Sequence, residues 1–384
     1  MSVALALSLA LAAQVPAQES KVQAAEQRDA RSAALELDPA TLPKAEAGRW
    51  ARWNPKDALP EALAGDMQLA LAAYQAADYP RALELLAPLL RREPDFPPAL
   101  YQLGLVYFRM RRYGDGAKAL ERFIAAVPHE LGATQALGHC YYTLGDYGRA
   151  QAHYEKVLAL APKSSEAWRG LGLAHLRQGD ATRALECLDR CLELRPGHAD
   201  ALLWRAQALF DLERPGEALL AVTTGLEGAP HEPRGWFLLA QLQAELGRDE
   251  DAERSRVRFA ELSRIEQEVR AQEGLLLYSP RAVEPLRRLV LLHRATRNAR
   301  EALELLSRLL DVLPDDLAVR LLALETCAEL APGATSDRMA AELEARFPRE
   351  ASAWSALETY FRSRGDAVRA ERAKARLAEL AAGR

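Results

Sequence analysis

Along most of the chain, apolar residues recur three and four apart, which is the spacing of one helix face. In the stretch Ala167 to Asp180, AWRGLGLAHLRQGD, that face consists of Trp168, Leu171, Gly172 and His175. The pair Gly179-Asp180 then breaks the pattern. The same alternation of apolar stripe and turn recurs, with turns at Asp78-Tyr79, Gly145-Asp146 and Gly247-Arg248. Short turns between stripes of this length predict antiparallel helix pairs. Ala, Leu, Arg and Glu dominate and β-branched residues are scarce, which favours helix throughout and disfavours a sheet.

The stripes keep a fixed stride. Pro94, Pro128, Pro162, Pro196 and Pro230 are 34 residues apart, and the same step from Gly172 meets Ala70, Gly104, Gly138, Ala206 and Ala240. A second small-residue row runs through Ala82, Gly116, Ala150, Ala184, Ala218 and Ala252. Each small residue lets two backbones approach, and each proline ends a second helix that it cannot continue. One such pair cannot bury its own apolar face, so neighbours must stack. The period, together with Trp168, Leu171, Gly172, Ala184, Leu188 and Pro196 in one copy and Leu137, Gly138, Tyr141, Ala150, Tyr154 and Pro162 in another, resembles the tetratricopeptide signature. The resemblance implies an all-α fold, a right-handed α-solenoid of stacked antiparallel helix pairs.

Six units start at Leu63, Pro97, Leu131, Ser165, Ala199 and Pro233. The sixth is weak in its second half, where Arg256 stands at a position that is usually aromatic. After the charged run SRIEQEVRAQEG the period resumes out of phase, with units near Val283, Leu317 and Ala351. The expected organisation is a signal peptide over 1–17, a linker or N-terminal cap over 18–62, a six-unit array over 63–266, a joint over 267–282 and a three-unit array over 283–384.

Composition narrows the function classes. The chain has 384 residues and a net charge of −4, so nothing draws it as a whole to nucleic acid or an anionic membrane. The uncharged run Val3 to Val15 is shorter than the roughly 20 residues of a membrane span but suits the apolar part of a secretory signal. The reading is export to the periplasm or the extracellular space, with no membrane span in the mature chain. Trp50 and Trp53, in a proline-rich stretch, read as covering the exposed end of the array; the alternative is a docking peptide, in cis or in trans. No P-loop, HExxH, GxSxG or calcium-loop pattern is present, and the chain reads as non-catalytic with no cofactor. His175, Cys187 and Cys191 offer N and S donors of the kind a soft metal takes. Cysteine also packs where alanine is usual, and packing is the reading taken.

In the family, the first helix of each unit lines the concave face. Carried onto this sequence, the second, fifth, ninth and twelfth or thirteenth positions give Met67, Leu71 and Tyr74 in unit one. They give a candidate groove of Tyr101, Leu105, Phe108, Arg109, Gln135, His139, Tyr142, Arg169, Leu173, Arg177, Leu203, Gln207 and Phe210 in units two to five. Tyrosine, phenylalanine and arginine are typical interface anchors, and arginine pairs with carboxylates. The family's Lys/Asn clamp for chaperone C-termini is absent, since Met67 and Leu71 stand at its first positions. Units seven to nine place Glu284, Arg287, Arg294, Glu325, Glu329 and Arg362 there, a more solvated surface or a weaker second site. The expected function is a protein- or peptide-binding scaffold or adaptor in the cell envelope. The alternatives are a self-associating structural protein and an accessory subunit of an envelope enzyme complex.

Overall fold

The computed structural model describes residues 37–40, 42 and 60–382, which form eighteen helices and no strand. The expected signal peptide and the Trp50 and Trp53 segment lie outside the described residues. The chain divides into two compact units, the first ending at Ala260 and the second beginning at Glu261. Each is an all-helical stack of antiparallel pairs.

The first holds α1 (Glu61–Gln75), α2 (Tyr79–Arg92), α3 (Pro97–Arg109), α4 (Tyr113–Ala126), α5 (Leu131–Thr143) and α6 (Tyr147–Leu160). It continues through α7 (Ser165–Arg177), α8 (Ala181–Leu194), α9 (Ala199–Asp211), α10 (Pro215–Gly228), α11 (Pro233–Glu245) and the start of α12 (Asp249–Leu276). The second holds α13 (Val283–Ala295), α14 (Ala299–Val312), α15 (Leu317–Leu330), α16 (Ala334–Arg346), α17 (Ala351–Ser363) and α18 (Ala367–Ala381). From unit two onward, each expected repeat start coincides with the first residue of a helix. Residues 267–276 of the expected joint are helical, part of the 28-residue α12.

Three repeated devices fix the pairs. The turn inside eight of the nine pairs needs a left-handed residue at its fifteenth position. Gly145, Gly179, Gly247 and Gly365 supply it, whereas Ala77, Arg111, Glu213 and Arg297 adopt φ of 52–60° at the same place. Between α15 and α16, Ala331 has φ −138° there and Gly333 is left-handed instead. An aspartate then caps the second helix: the side chains of Asp78, Asp146, Asp180 and Asp366 accept the N–H of the residue three further on. Such a cap contributes about 1 kcal/mol. Finally, the indoles of Trp168, Trp236 and Trp354 donate to the carbonyls of Pro162, Pro230 and Pro348 at 2.8, 2.8 and 3.0 Å. Arg320 does the same to Pro314 at 2.9 Å. The residue at the fourth position of each of these repeats thus binds the proline that closes the previous one.

The small-residue rows mark close approach. The buried ring of Tyr154 on α6 lies between α5 and α7. A Cβ built on Gly138 would come within 2.9 Å of it, and one on Gly170 within 2.6 Å. Among the described residues, successive first helices touch (α1 with α3, α3 with α5, α5 with α7, α7 with α9) while successive second helices do not. The first-helix surface is therefore the inner one.

Candidate functional site

The inner surface of the first unit carries an aromatic ladder. Tyr74, Phe108 and Tyr142 sit 34 residues apart, one per first helix, with Leu176 and Phe210 continuing the row. Each of the first three packs on the tyrosine that begins the next helix. The ring centroids are 6.0 Å apart for Tyr74–Tyr79, 5.5 Å for Phe108–Tyr113 and 5.6 Å for Tyr142–Tyr147. Such pairs are worth about 0.5–1.5 kcal/mol beyond the area they bury. Two arginines from the neighbouring first helix lock hydroxyls of the ladder: Arg109 Nε donates to Tyr79 at 3.1 Å and Arg177 Nε to Tyr142 at 3.2 Å. Arg177 also lies 5.8 Å from the centre of the Trp204 ring and is exposed. Among the described residues no carboxylate pairs with it.

Deeper in the surface, the Tyr154 hydroxyl and His139 Nδ1 share a hydrogen bond of 3.0 Å, and Phe108 packs 6.5 Å from the imidazole. Burial, aided by the charge of Arg169, lowers the His139 pKa to about 4, so the ring is neutral at physiological pH. Beside it runs a chain of ion pairs. Arg169 pairs with Glu166 at 3.0 Å and Asp200 at 2.9 Å, and Arg234 pairs with Asp200 at 2.8 Å while stacking 3.8 Å over Trp204. Arg195 and His198 also meet Glu166, at 2.6 and 3.3 Å.

The thirteen groove residues of the sequence reading therefore separate. Arg109 and Arg177 are exposed; Tyr101, Leu105, Phe108, Gln135, His139, Tyr142, Arg169, Gln207 and Phe210 are half-buried. Leu173 and Leu203 are corrections, being only 6% and 3% exposed, as is Met67 at 7%. Leu203 fills the space over two glycines: Cβ atoms on Gly225 and Gly235 would come within 2.7 and 2.9 Å of its side chain. Leu173 and Met67 are likewise taken up by packing, because adjacent first helices touch and leave those positions no solvent. Arg169 reaches the surface with its guanidinium already matched to two carboxylates. Tyr79, Tyr113, Tyr147 and Trp204 belong to the site and are absent from the candidate groove of the sequence reading. The three tyrosines keep the 34-residue stride and were findable by it; Trp204 gave no such signal.

In the second unit the corresponding charges neutralise one another: Arg294 bridges Glu325 and Glu329 at 2.8 and 2.7 Å, and Arg287 meets Glu284 at 3.7 Å. His175, Cys187 and Cys191 are all buried, and burial pushes the Cys187 thiol up to about 12 and Cys191 upward too. Among the described residues no group of three or more His, Cys, Asp or Glu has the geometry to hold a metal.

A family model described as tetratricopeptide repeat matches residues 67–134, and one described as the middle TPR-like domain of cilia and flagella-associated protein 70 matches residues 136–266. Together with the helix pairs in register, this decides the family. The chain belongs to the tetratricopeptide repeat family. A comparison with curated proteins finds no match. Among solved structures, a MamA protein is similar at 20% identity and a TM-score of 0.42, covering 44% of this chain and 93% of its own. PilF of Pseudomonas aeruginosa is similar at 19% identity and a TM-score of 0.44, over 57% of this chain and 96% of its own. MamA of Desulfovibrio magneticus is similar at 20% and 0.40, over 44% and 95%. The assignment rests on the family models and the repeat geometry rather than on these likenesses. As a tetratricopeptide array, this protein presents its ladder on the helices that line the concave face in the family.

Proposed function

We propose that this tetratricopeptide protein is a non-catalytic scaffold or adaptor that grips a segment of another protein along the inner face of its first array, in the cell envelope after export. The observation that carries the reading is the ladder of Tyr74, Phe108 and Tyr142, part-exposed and one repeat apart, with no carboxylate beside Arg177 among the described residues. Rigid aromatic rings with an adjoining guanidinium are the usual anchors of a protein interface. The uncharged N-terminal run supports export.

The test is photo-crosslinking from position 101 or 210 in cells, with the wild-type array and with Tyr142→Ala, Phe108→Ala and Arg177→Ala combined. Adducts to another protein that vanish in the triple variant support the scaffold. Adducts only between copies of the chain would turn the reading to self-association, and adducts indifferent to the three substitutions would remove the groove. N-terminal sequencing of the mature chain tests export; a retained Met1 refutes it.

A further inference from the structure

Residues 37–40 and 42, ahead of the array, are docked on its second repeat. Leu37 and Leu42 are 8% and 7% exposed, and Pro39 is buried as well. The intervening acid is shaped and paired: Asp38 accepts the Ala40 N–H at 2.9 Å and Lys118 Nζ at 3.1 Å. These two donors, the Ala40 N–H first, hold its carboxyl below the ordinary range.

The main chain is read too. Tyr107 donates its hydroxyl to the Leu37 carbonyl. Arg122 Nη1 donates to the carbonyls of Pro39 at 2.7 Å and Leu42 at 3.1 Å. The remainder of that guanidinium faces its own repeat, with Nη2 to the Pro94 carbonyl at 3.2 Å and Nε to Asp95 at 3.1 Å. Arg308 on α14 makes the same contact with the Pro280 carbonyl, at 3.0 Å. The repeat thus places an arginine at this position for internal reasons, and in unit two its Nη1 edge is turned to a peptide.

Three apolar anchors, one paired carboxylate and three bound carbonyls on a six-residue stretch amount to a recognition site. We propose that Tyr107, Lys118 and Arg122 form a second peptide-binding site, separate from the aromatic ladder, that recognises a Leu-Asp-Pro-x-x-Leu segment turned at Asp38–Ala40 and is occupied in cis by residues 37–40 and 42. Tethering sets the local concentration of the cis segment near the millimolar range, so a free peptide competes poorly until the cis copy is weakened.

The experiment uses the full chain and a fluorescent peptide of residues 35–44, LELDPATLPK, read by anisotropy. With Leu37→Ala and Leu42→Ala in the chain, the peptide binds at least tenfold more tightly than to wild type, and adding Arg122→Ala removes that gain. A charge exchange guards against a folding defect: Lys118→Glu in the vacated chain weakens the native peptide, and a peptide carrying Lys at the Asp38 position restores binding. If the vacated chain binds no better than wild type, if a scrambled peptide binds equally, or if the charge exchange fails to rescue, the site is refuted. The outcome is independent of the inner-face ladder, which none of these substitutions touches.

Discussion

The slot around Tyr154 makes a quantitative claim about why glycine stands at position 170. A Cβ there would lie 2.6 Å from Cε1 and Cζ of the ring, about 1 Å inside the 3.5–4.0 Å optimum for carbon contacts. The ring is held in place because Gly138 lies on its other side, where even a Cβ would come within 2.9 Å, and because its hydroxyl is bonded to His139. Overpacking of this size costs about 1–3 kcal/mol, against which Gly→Ala in a helix returns up to about 1 kcal/mol of propensity. Gly170→Ala should therefore destabilise the first array by about 1–2 kcal/mol. Gly65→Ala in α1, where nothing lies within 4 Å, should stabilise it by up to about 1 kcal/mol. The assay is a double-mutant cycle by guanidinium unfolding, with hydrogen exchange on α6 and α7 to localise the loss. In a Tyr154→Leu background, Gly170→Ala should turn neutral or stabilising. A neutral or stabilising Gly170→Ala in the wild-type chain would refute the argument that steric contact, rather than backbone freedom, selects the glycine.

Other expectations follow from the same geometry. Glu213 holds a left-handed φ of 56° where four other repeats use glycine, so Glu213→Gly should gain about 0.5–1 kcal/mol in chemical unfolding, whereas Gly179→Val should lose more than that. His139 titrates near 4 when folded and near 6.5 when unfolded; below 6.5 the unfolded chain takes up the proton first, so stability falls from pH 6.5 to about 4 and then levels, by at most about 3 kcal/mol. His139→Phe should flatten that window in urea titrations at pH 7 and 4.5, and an unchanged slope would exclude the histidine as its source. Arg169→Ala should lower stability with little effect on crosslinking to a partner, because its guanidinium is matched to Glu166 and Asp200 within the array. Arg177→Ala should do the reverse, and equal effects on both readouts would undo the distinction between them.

The fold was legible because its determinants are local and periodic. Prolines, small residues and turn glycines must recur at one stride if identical pairs are to stack, and the helix starts at Pro97, Leu131, Ser165, Ala199, Pro233, Val283, Leu317 and Ala351 follow from that stride. The turns at Arg111 and Glu213 carry no glycine and escaped notice, because the backbone imposes the left-handed conformation there whatever the side chain. Exposure was less legible. The fifth and ninth positions are open or closed according to what the next helix brings, and Leu203 is closed by glycines 22 and 32 residues further along the chain. The docking of residues 37–40 and 42 on α3 and α4 is a contact between segments about 80 residues apart and has no periodic trace at all.

This separation bears on where partner specificity resides. Positions that recur in every repeat are occupied by stacking: Trp168 by a proline carbonyl, Tyr154 by two glycines, the turn aspartates by helix caps. What distinguishes one repeat from another is the residue outside those stacking positions. The thirteenth position reads Gln75, Arg109, Thr143, Arg177, Asp211, with arginine in alternate repeats. Contacting helices lie ~10 Å apart, so on the proposed reading Arg109 and Arg177 stand roughly 20 Å from each other. That distance spans about six residues of extended chain or about thirteen of helix. A bound segment that engages both arginines therefore carries its acidic residues at one of those two spacings, with apolar side chains between them to meet Phe108 and Tyr142, and the spacing itself reports whether the ligand binds as strand or helix.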